Sequence, residues 1–237
     1  MTDFSLKSLC GQADLDISDN TIGLLEKFVD IFTEKNKVIN LTKINSHEEF
    51  LIKHIIDSLL VNSFLHIKSE MRIADLGTGG GLPGIPLAIL NHNASFTLID
   101  SVQKKIFCVK EFATQLHLNN VIGLSERLEV IGRDKKYREQ FDIVVARALA
   151  PLPVLLELAL PLVKVGGIFV AMKGPACLEE INEATNSIKQ LNIGLPRVEK
   201  YDLPDSIGKR SLLIFEKKKS IPNIYPRRVG VPNKSPL

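Results

Sequence analysis

Residues 72–84 read RIADLGTGGGLPG, and no other stretch restricts the possible fold so much. An apolar run, Ile73 to Leu76, stops at a cluster of glycines, and an apolar stretch resumes after Pro83 and Gly84. A strand that feeds a glycine-rich turn and then a helix usually folds its backbone close around a ligand. From Met71 onward the chain keeps this rhythm. Candidate strands are Arg72–Leu76, Ser95–Asp100, Val121–Ser125, Asp142–Ala146 and Gly167–Met172, with helical segments between them at Val102–Leu116 and Val154–Val163. The alternation predicts a parallel sheet with helices on both faces. Two further strands, Pro196–Asp202 and Arg210–Phe215, are joined only by Leu203–Lys209. That link is too short for a parallel crossover, so the two are expected to pair antiparallel. The fold expected is α/β, Rossmann-like, with a mostly parallel seven-stranded sheet ending in an antiparallel pair.

The segment before the first strand has a different period. Ser18-Asp19-Asn20 offers caps to a helix carrying Ile22, Leu25, Phe28, Val29 and Phe32, and Ser46 opens a second with Phe50, Leu51, Ile55, Leu59 and Leu60. The organisation expected is a helical extension over 1–70, a ligand-binding domain over 71–217 and a basic, proline-rich tail over 218–237. Charge follows these divisions. Met1–Glu70 holds seven Lys and no Arg against eleven acids, net −4, whereas Asp205–Leu237 is net +6. A basic end can hold an anionic polymer. The tail, with Pro222, Pro226, Pro232 and Pro236, is expected to be extended and loose when unbound. Three scattered cysteines with no C-x-x-C suggest neither a disulfide framework nor a zinc site, and no metal is expected. No apolar run approaches a membrane span of ~18 residues, and the first residues do not read as a signal peptide, so a cytoplasmic protein is expected.

The glycine turn admits more than one ligand. A P-loop is unsupported, because no Lys-Ser or Lys-Thr follows the glycines. The dinucleotide fingerprint is formally met by Gly79, Gly81 and Gly84, with Asp100 ending the next strand. The other pattern is D-x-G-x-G-x-G at Asp75, Gly77, Gly79 and Gly81. An acid in the last turn of the first strand is ill-placed beside a pyrophosphate and well placed beside an ammonium. Asp100 can accept hydrogen bonds from two ribose hydroxyls. Together these describe S-adenosylmethionine, which carries an ammonium, a sulfonium and a ribose but no phosphate. The antiparallel end of the sheet, where a dinucleotide fold would begin its second half, favours the same ligand. An oxidoreductase and an RNA-binding module with a vestigial cofactor site are the competing readings.

Several stretches together resemble one family. They are NLT at Asn40–Thr42, KHIIDSLL at Lys53–Leu60, IADLGTGGGLPGIPLAI at Ile73–Ile89 and LIDS at Leu98–Ser101. To these add R-x-E at Arg127–Glu129, ARALAPL at Ala146–Leu152, VAMKG at Val170–Gly174 and YPRRVGVPNKSPL at Tyr225–Leu237. The chain is similar, from about Phe28 to its end, to the bacterial 16S ribosomal RNA guanine-N7 methyltransferases (RsmG, formerly glucose-inhibited division protein B). The resemblance implies a class I methyltransferase fold, S-adenosylmethionine as donor, and a guanine N7 in 16S ribosomal RNA as acceptor, within the small subunit or an assembly intermediate. It implies cofactor contacts at Gly77, Leu82, Leu128, Glu129 and Arg147, with Asp100 matching the acid after the second strand. Asp75 and Gly79 belong to the same glycine motif. Gly80 stands where relatives often carry Ala or Pro, and Ile131–Gln140 is variable in length with no expected function.

Guanine N7 has an in-plane lone pair and no proton to lose, so no general base is required. Catalysis by proximity and orientation is expected, with no catalytic nucleophile and a possible positioning role for Arg147. His54 and Asp57, three apart on one helical face, come near the active site only through the resemblance. RNA contacts are expected at Lys173, Arg227, Arg228 and Lys234, with Tyr225 stacking on a base. The competing arrangement for the tail is that it folds back over the sheet's carboxyl edge and closes the cofactor site.

Overall fold

The structure, a computed structural model, describes residues 4–237 apart from the side chain of Ser206; the first three residues of the 1–70 segment lie outside the described residues. Strands β1 (Arg72–Leu76), β2 (Ser95–Asp100), β3 (Val121–Ser125), β4 (Phe141–Arg147), β5 (Val163–Lys173), β6 (Arg197–Asp202) and β7 (Lys209–Glu216) form one sheet. Their order is β3-β2-β1-β4-β5-β7-β6. β1 to β5 pair in parallel, and β7 runs antiparallel to both β5 and β6. The direction of winding reverses between β1 and β4. The crevice at the carboxyl ends of those two strands is where such a sheet takes a ligand.

Before the sheet come α1 (Leu6–Gln12), α2 (Asp19–Asn36) and α3 (His47–Phe50), the last running through a π-helical stretch, Leu51–Ile56, into α4 (Asp57–Leu65). The hydroxyls of Ser18 and Ser46 accept from the N–H groups of Thr21 and Glu49, so both serines cap as their spacing suggests. Among the strands lie α5 (Gly84–Leu90), α6 (Gln103–Gln115), α7 (Leu128–Ile131), α8 (Leu152–Ala159), α9 (Cys177–Glu183) and α10 (Thr185–Gln190), and α11 (Val231–Lys234) follows near the chain end. The helix expected over Val154–Val163 begins and ends earlier, because Pro151 and Pro153 start it and Pro161 cannot continue it. Val163 is instead the first residue of β5.

Two apolar layers sandwich the sheet. One joins Phe28, Phe32, Phe50 and Ile55 of the early helices to Ile73, Phe96, Val145 and Ile214 of the sheet. The rings of Phe28 and Phe112 meet edge to face at 5.7 Å, and those of Phe32 and Phe50 lie tilted at 4.8 Å. The residues before 71 therefore share their core with the sheet. They also hold Phe32 against the glycine turn, where a side-chain carbon on Gly80 would come within 2.4 Å of the ring. The second layer joins α8 and α10 to the other face and includes Ile221 and Tyr225.

This last packing corrects the expectation of a loose tail. Tyr225 is buried, 7% exposed, with its hydroxyl 3.1 Å from Gln190 Oε1, so it is not free to stack on a base. Arg227 forms a bidentate pair with Glu157 of α8, at 2.9 Å from Nε to Oε1 and 2.6 Å from Nη2 to Oε2, and its backbone N–H donates to the same carboxylate. Its charge is spent inside the protein rather than offered to RNA. Arg133 donates to the carbonyls of Ile224 and Pro226, and Arg138 to those of Ile221 and Tyr225. Residues 131–140, for which no function was expected, thus carry the clamp.

Candidate functional site

β1 ends in Asp75, which is 1% exposed. Its Oδ2 accepts from the Thr78 hydroxyl at 2.6 Å and from the Gly84 N–H at 2.9 Å, so it holds the glycine turn and the start of α5. Its Oδ1 is buried and has no hydrogen-bond partner. Burial pushes the Asp75 carboxyl up to about 6, against the two hydrogen bonds that favour its ionised form. Asp100, at the end of β2, accepts from the Gly79 N–H at 3.1 Å through Oδ2 and from the Val102 N–H at 2.9 Å through Oδ1. Each of its oxygens keeps a lone pair for a further donor.

A cavity of about 320 Å³ opens beside Asp100. Gly77, Asp100, Leu128 and Glu129 lie in its wall. Gly77 has φ +67°, and a side-chain carbon there would come within 2.5 Å of Leu149. Only a residue without Cβ both adopts this turn easily and leaves that space open. Lys105, Arg127, Leu149 and Asn233 also line the cavity, and the sequence did not single out Lys105, Leu149 or Asn233. Asp75, Gly79, Leu82 and Arg147 do not line it. Gly79 acts through its N–H on Asp100, and Leu82 is buried in the first apolar layer. The residues present suit S-adenosylmethionine: an acceptor for ribose hydroxyls at Asp100, a backbone cradle at Gly77, and the buried negative charge of Asp75 behind the turn.

A second cavity, about 430 Å³, adjoins the first, and Ala148 lines both. Its wall includes Lys53, His54, Asp57, Arg147, Lys173 and Arg210. Arg147 therefore faces this side, with Nη1 3.5 Å from Asp57 Oδ2 and 3.2 Å from the Lys53 carbonyl. Asp57, 2% exposed, also accepts from the Tyr201 hydroxyl at 2.7 Å and lies 3.7 Å from Arg210. Burial and the Asp57 charge push the Tyr201 phenol well above its ordinary range. The π-helical stretch carries Lys53 and His54 to this wall, a common place for such irregular turns. His54 shares a hydrogen bond of 2.9 Å with Thr42. Burial, then the Arg147 charge, depress it to about 3, so it is neutral at pH 7. Lys173 donates to Glu180 at 2.5 Å and to the Ala150 carbonyl at 3.1 Å. It braces the loop after β4 and shares its charge with Glu180. Of the expected RNA-contact residues, Arg228 and Lys234 stay exposed.

Sheet order, antiparallel β7 and an acid beside a glycine turn together define a class I S-adenosylmethionine-dependent methyltransferase. A solved structure of this fold, the ribosomal protein L11 methylase from Lactobacillus delbrueckii subsp. bulgaricus, is similar with TM-score 0.54 and 18% identity, over 74% of this chain and 81% of that one. Residues 21–206 match the model of the GidB family, rRNA small subunit methyltransferase G. The chain belongs to that family. It is 40% identical to the ribosomal RNA small subunit methyltransferase G of Alkaliphilus metalliredigens and 38% identical to that of Desulforamulus reducens, in each case over 98% of this chain and 97% of the relative. Fold, family and methyl donor agree with the sequence reading. No helix among the described residues is long and apolar enough to cross a membrane.

Proposed function

We propose that the chain transfers a methyl group from S-adenosylmethionine to N7 of one guanine in 16S ribosomal RNA, acting on the small subunit or an intermediate of its assembly. The observation that carries this reading is the pair of adjoining cavities at the carboxyl edge of β1 and β4, in contact at Ala148. The Asp100 cavity takes the donor. Asp100 binds the ribose hydroxyls, Leu128 and Glu129 border the adenine, and Gly77 lets the ligand approach the backbone; Asp75 lies behind that wall, so it is its charge, not a contact, that favours the ligand ammonium.

The second cavity takes the acceptor nucleotide. Arg147 and Arg210 give it the positive charge that a nucleotide phosphate needs, while Asp57 fixes their positions. Bound S-adenosylmethionine supplies a methyl carbon on a sulfonium, open to in-line attack. The protein's part is to orient. N7 brings its own lone pair, so no side chain has to remove a proton, and a neutral His54 adds no charge opposing the methylated base. A guanine reached in this way is unpaired or turned out of its helix. Exposed Arg228 and Lys234 extend the contact to RNA phosphates.

The test is transfer of tritiated methyl to ribosomal RNA from a strain lacking the endogenous enzyme, with the modified base mapped. Label on 23S RNA, or on a guanine atom other than N7, refutes the proposal. Comparison of naked 16S RNA, assembly intermediates and mature subunits identifies the form used.

A further inference from the structure

The following rests on the Asp100 cavity being the S-adenosylmethionine site. Asn233, of the short helix α11, lines that cavity although it is 133 positions from Asp100 in sequence. Immediately before α11 the chain is latched: the Gly230 N–H donates to Glu129 Oε1 at 2.9 Å. Glu129 is buried and belongs to the same wall. On the outer side, Arg227 is fixed by buried Glu157 and also donates to the Ser235 carbonyl at 2.8 Å. The terminal stretch ends with the Leu237 carbonyl accepting from Ser187 at 3.0 Å. Anchors therefore stand on both sides of Asn233.

We infer that residues 230–233 are a built wall of the donor site and that Asn233 is a cofactor-binding residue. Its carboxamide offers one acceptor and two donors, the complement of the adenine edge with its N6 amine and neighbouring ring nitrogen. Asp100, ionised, only accepts, which suits hydroxyls. Glu129 spends Oε1 on the latch, so its first task is to hold this wall. Asn233 shares the cavity wall with Leu128 and Glu129, the residues proposed to border the adenine.

The experiment is calorimetric titration of the full chain with S-adenosylhomocysteine, the demethylated product, and with an analogue whose base lacks the exocyclic amine. Asn233 is exposed, so Asn233→Ala should melt as the parent does. Its affinity for S-adenosylhomocysteine should fall about fivefold, and its preference for adenine over the amine-free base should shrink. Asn233→Asp should bind more weakly still, because a carboxylate repels the ring nitrogen. Hydrogen exchange at the Gly230 amide should slow when S-adenosylhomocysteine is bound. Unchanged affinity and unchanged base preference in Asn233→Ala, with Asp100→Ala weakened tenfold, overturn the inference alone. Unchanged affinity in Asp100→Ala overturns the assignment of the cavity and this inference with it.

Discussion

The glycine turn and the C-terminal segment are both irregular chain, and the second uses a kind of anchor that the first does not. In the turn, carboxylates accept from backbone N–H groups: Asp75 from Gly84, nine residues on, and Asp100 from Gly79, 21 residues back. In the C-terminal segment, cations donate to backbone carbonyls: Arg138 to Ile221 and Tyr225, 83 and 87 residues on, and Arg133 to Pro226, 93 residues on. Composition explains the contrast. Glycines keep their N–H groups and can be held by acids. Prolines have none, so a segment with four of them is held by its carbonyls, which need donors, as well as by the N–H groups of Arg227 and Gly230 on Glu157 and Glu129. The turn's anchors are near in sequence and the tail's are remote, and that difference decides which of the two can be read in advance.

The most severe break of the comparison is on the turn. Gly77→Val puts a β-branched side chain at φ +67° and into the cavity wall. Affinity for S-adenosylhomocysteine should drop roughly 100-fold, measured by calorimetry on folded protein. On the tail, Arg227→Ala strands the Glu157 carboxylate, which is 0% exposed. The melting curve should show a loss of about 3 kcal/mol. Adding Glu157→Gln should restore part of it, because no unpaired charge remains. An unchanged melting temperature for Arg227→Ala would mean that the clamp contributes nothing.

Asp100→Ala sharpens the comparison by removing an anchor that also faces the ligand. Each charge-assisted hydrogen bond is worth roughly 1.5–3 kcal/mol, so affinity should fall at least about tenfold. Asp75 distinguishes holding from binding by pH. Burial places its carboxyl at about 6, so below that pH it carries a proton. The ligand ammonium favours its ionised form and so releases that proton, and affinity should weaken as pH falls from about 7 to 5. Titrations at about pH 5.5 in buffers of different ionisation heat count the protons. None released would confine Asp75 to holding the turn. The smallest effects belong to exposed Arg228 and Lys234: each alanine variant should lower the salt slope of RNA binding by about 0.7–0.9. A slope equal to that of the parent chain removes the residue from the RNA interface.

Legibility in the sequence follows the reach of each interaction. β1, β2 and β3 begin and end where the sequence pattern does: β1 and β2 because a strand buried along most of its length has to be apolar, and edge strand β3, buried only at Gly123, because the turn residues bounding it are local. The antiparallel pairing of β6 with β7 was readable from a link too short for anything else. The helix 154–163 was misjudged at both ends because apolar periodicity outweighed its prolines. Asp75 and Asp100 could be placed at strand ends, but the partners of their individual oxygens could not. Arg147 was legible as a strand-end cation, yet which cavity it faces depends on Asp57, 90 positions earlier in the chain. The docking of Tyr225 and Arg227 depends on Gln190 and Glu157, and no spacing within the tail announces either.

The shared wall at Ala148 has a kinetic consequence. Two cavities meet at one small side chain. That arrangement lets donor and acceptor be held at the same moment, with the methyl group passing directly from one to the other. Initial-rate lines at several RNA concentrations, plotted as reciprocals against donor, should intersect rather than run parallel. Whichever ligand arrives first, the other still has its own cavity to enter, so S-adenosylhomocysteine should compete with the donor and leave RNA affinity largely as it was.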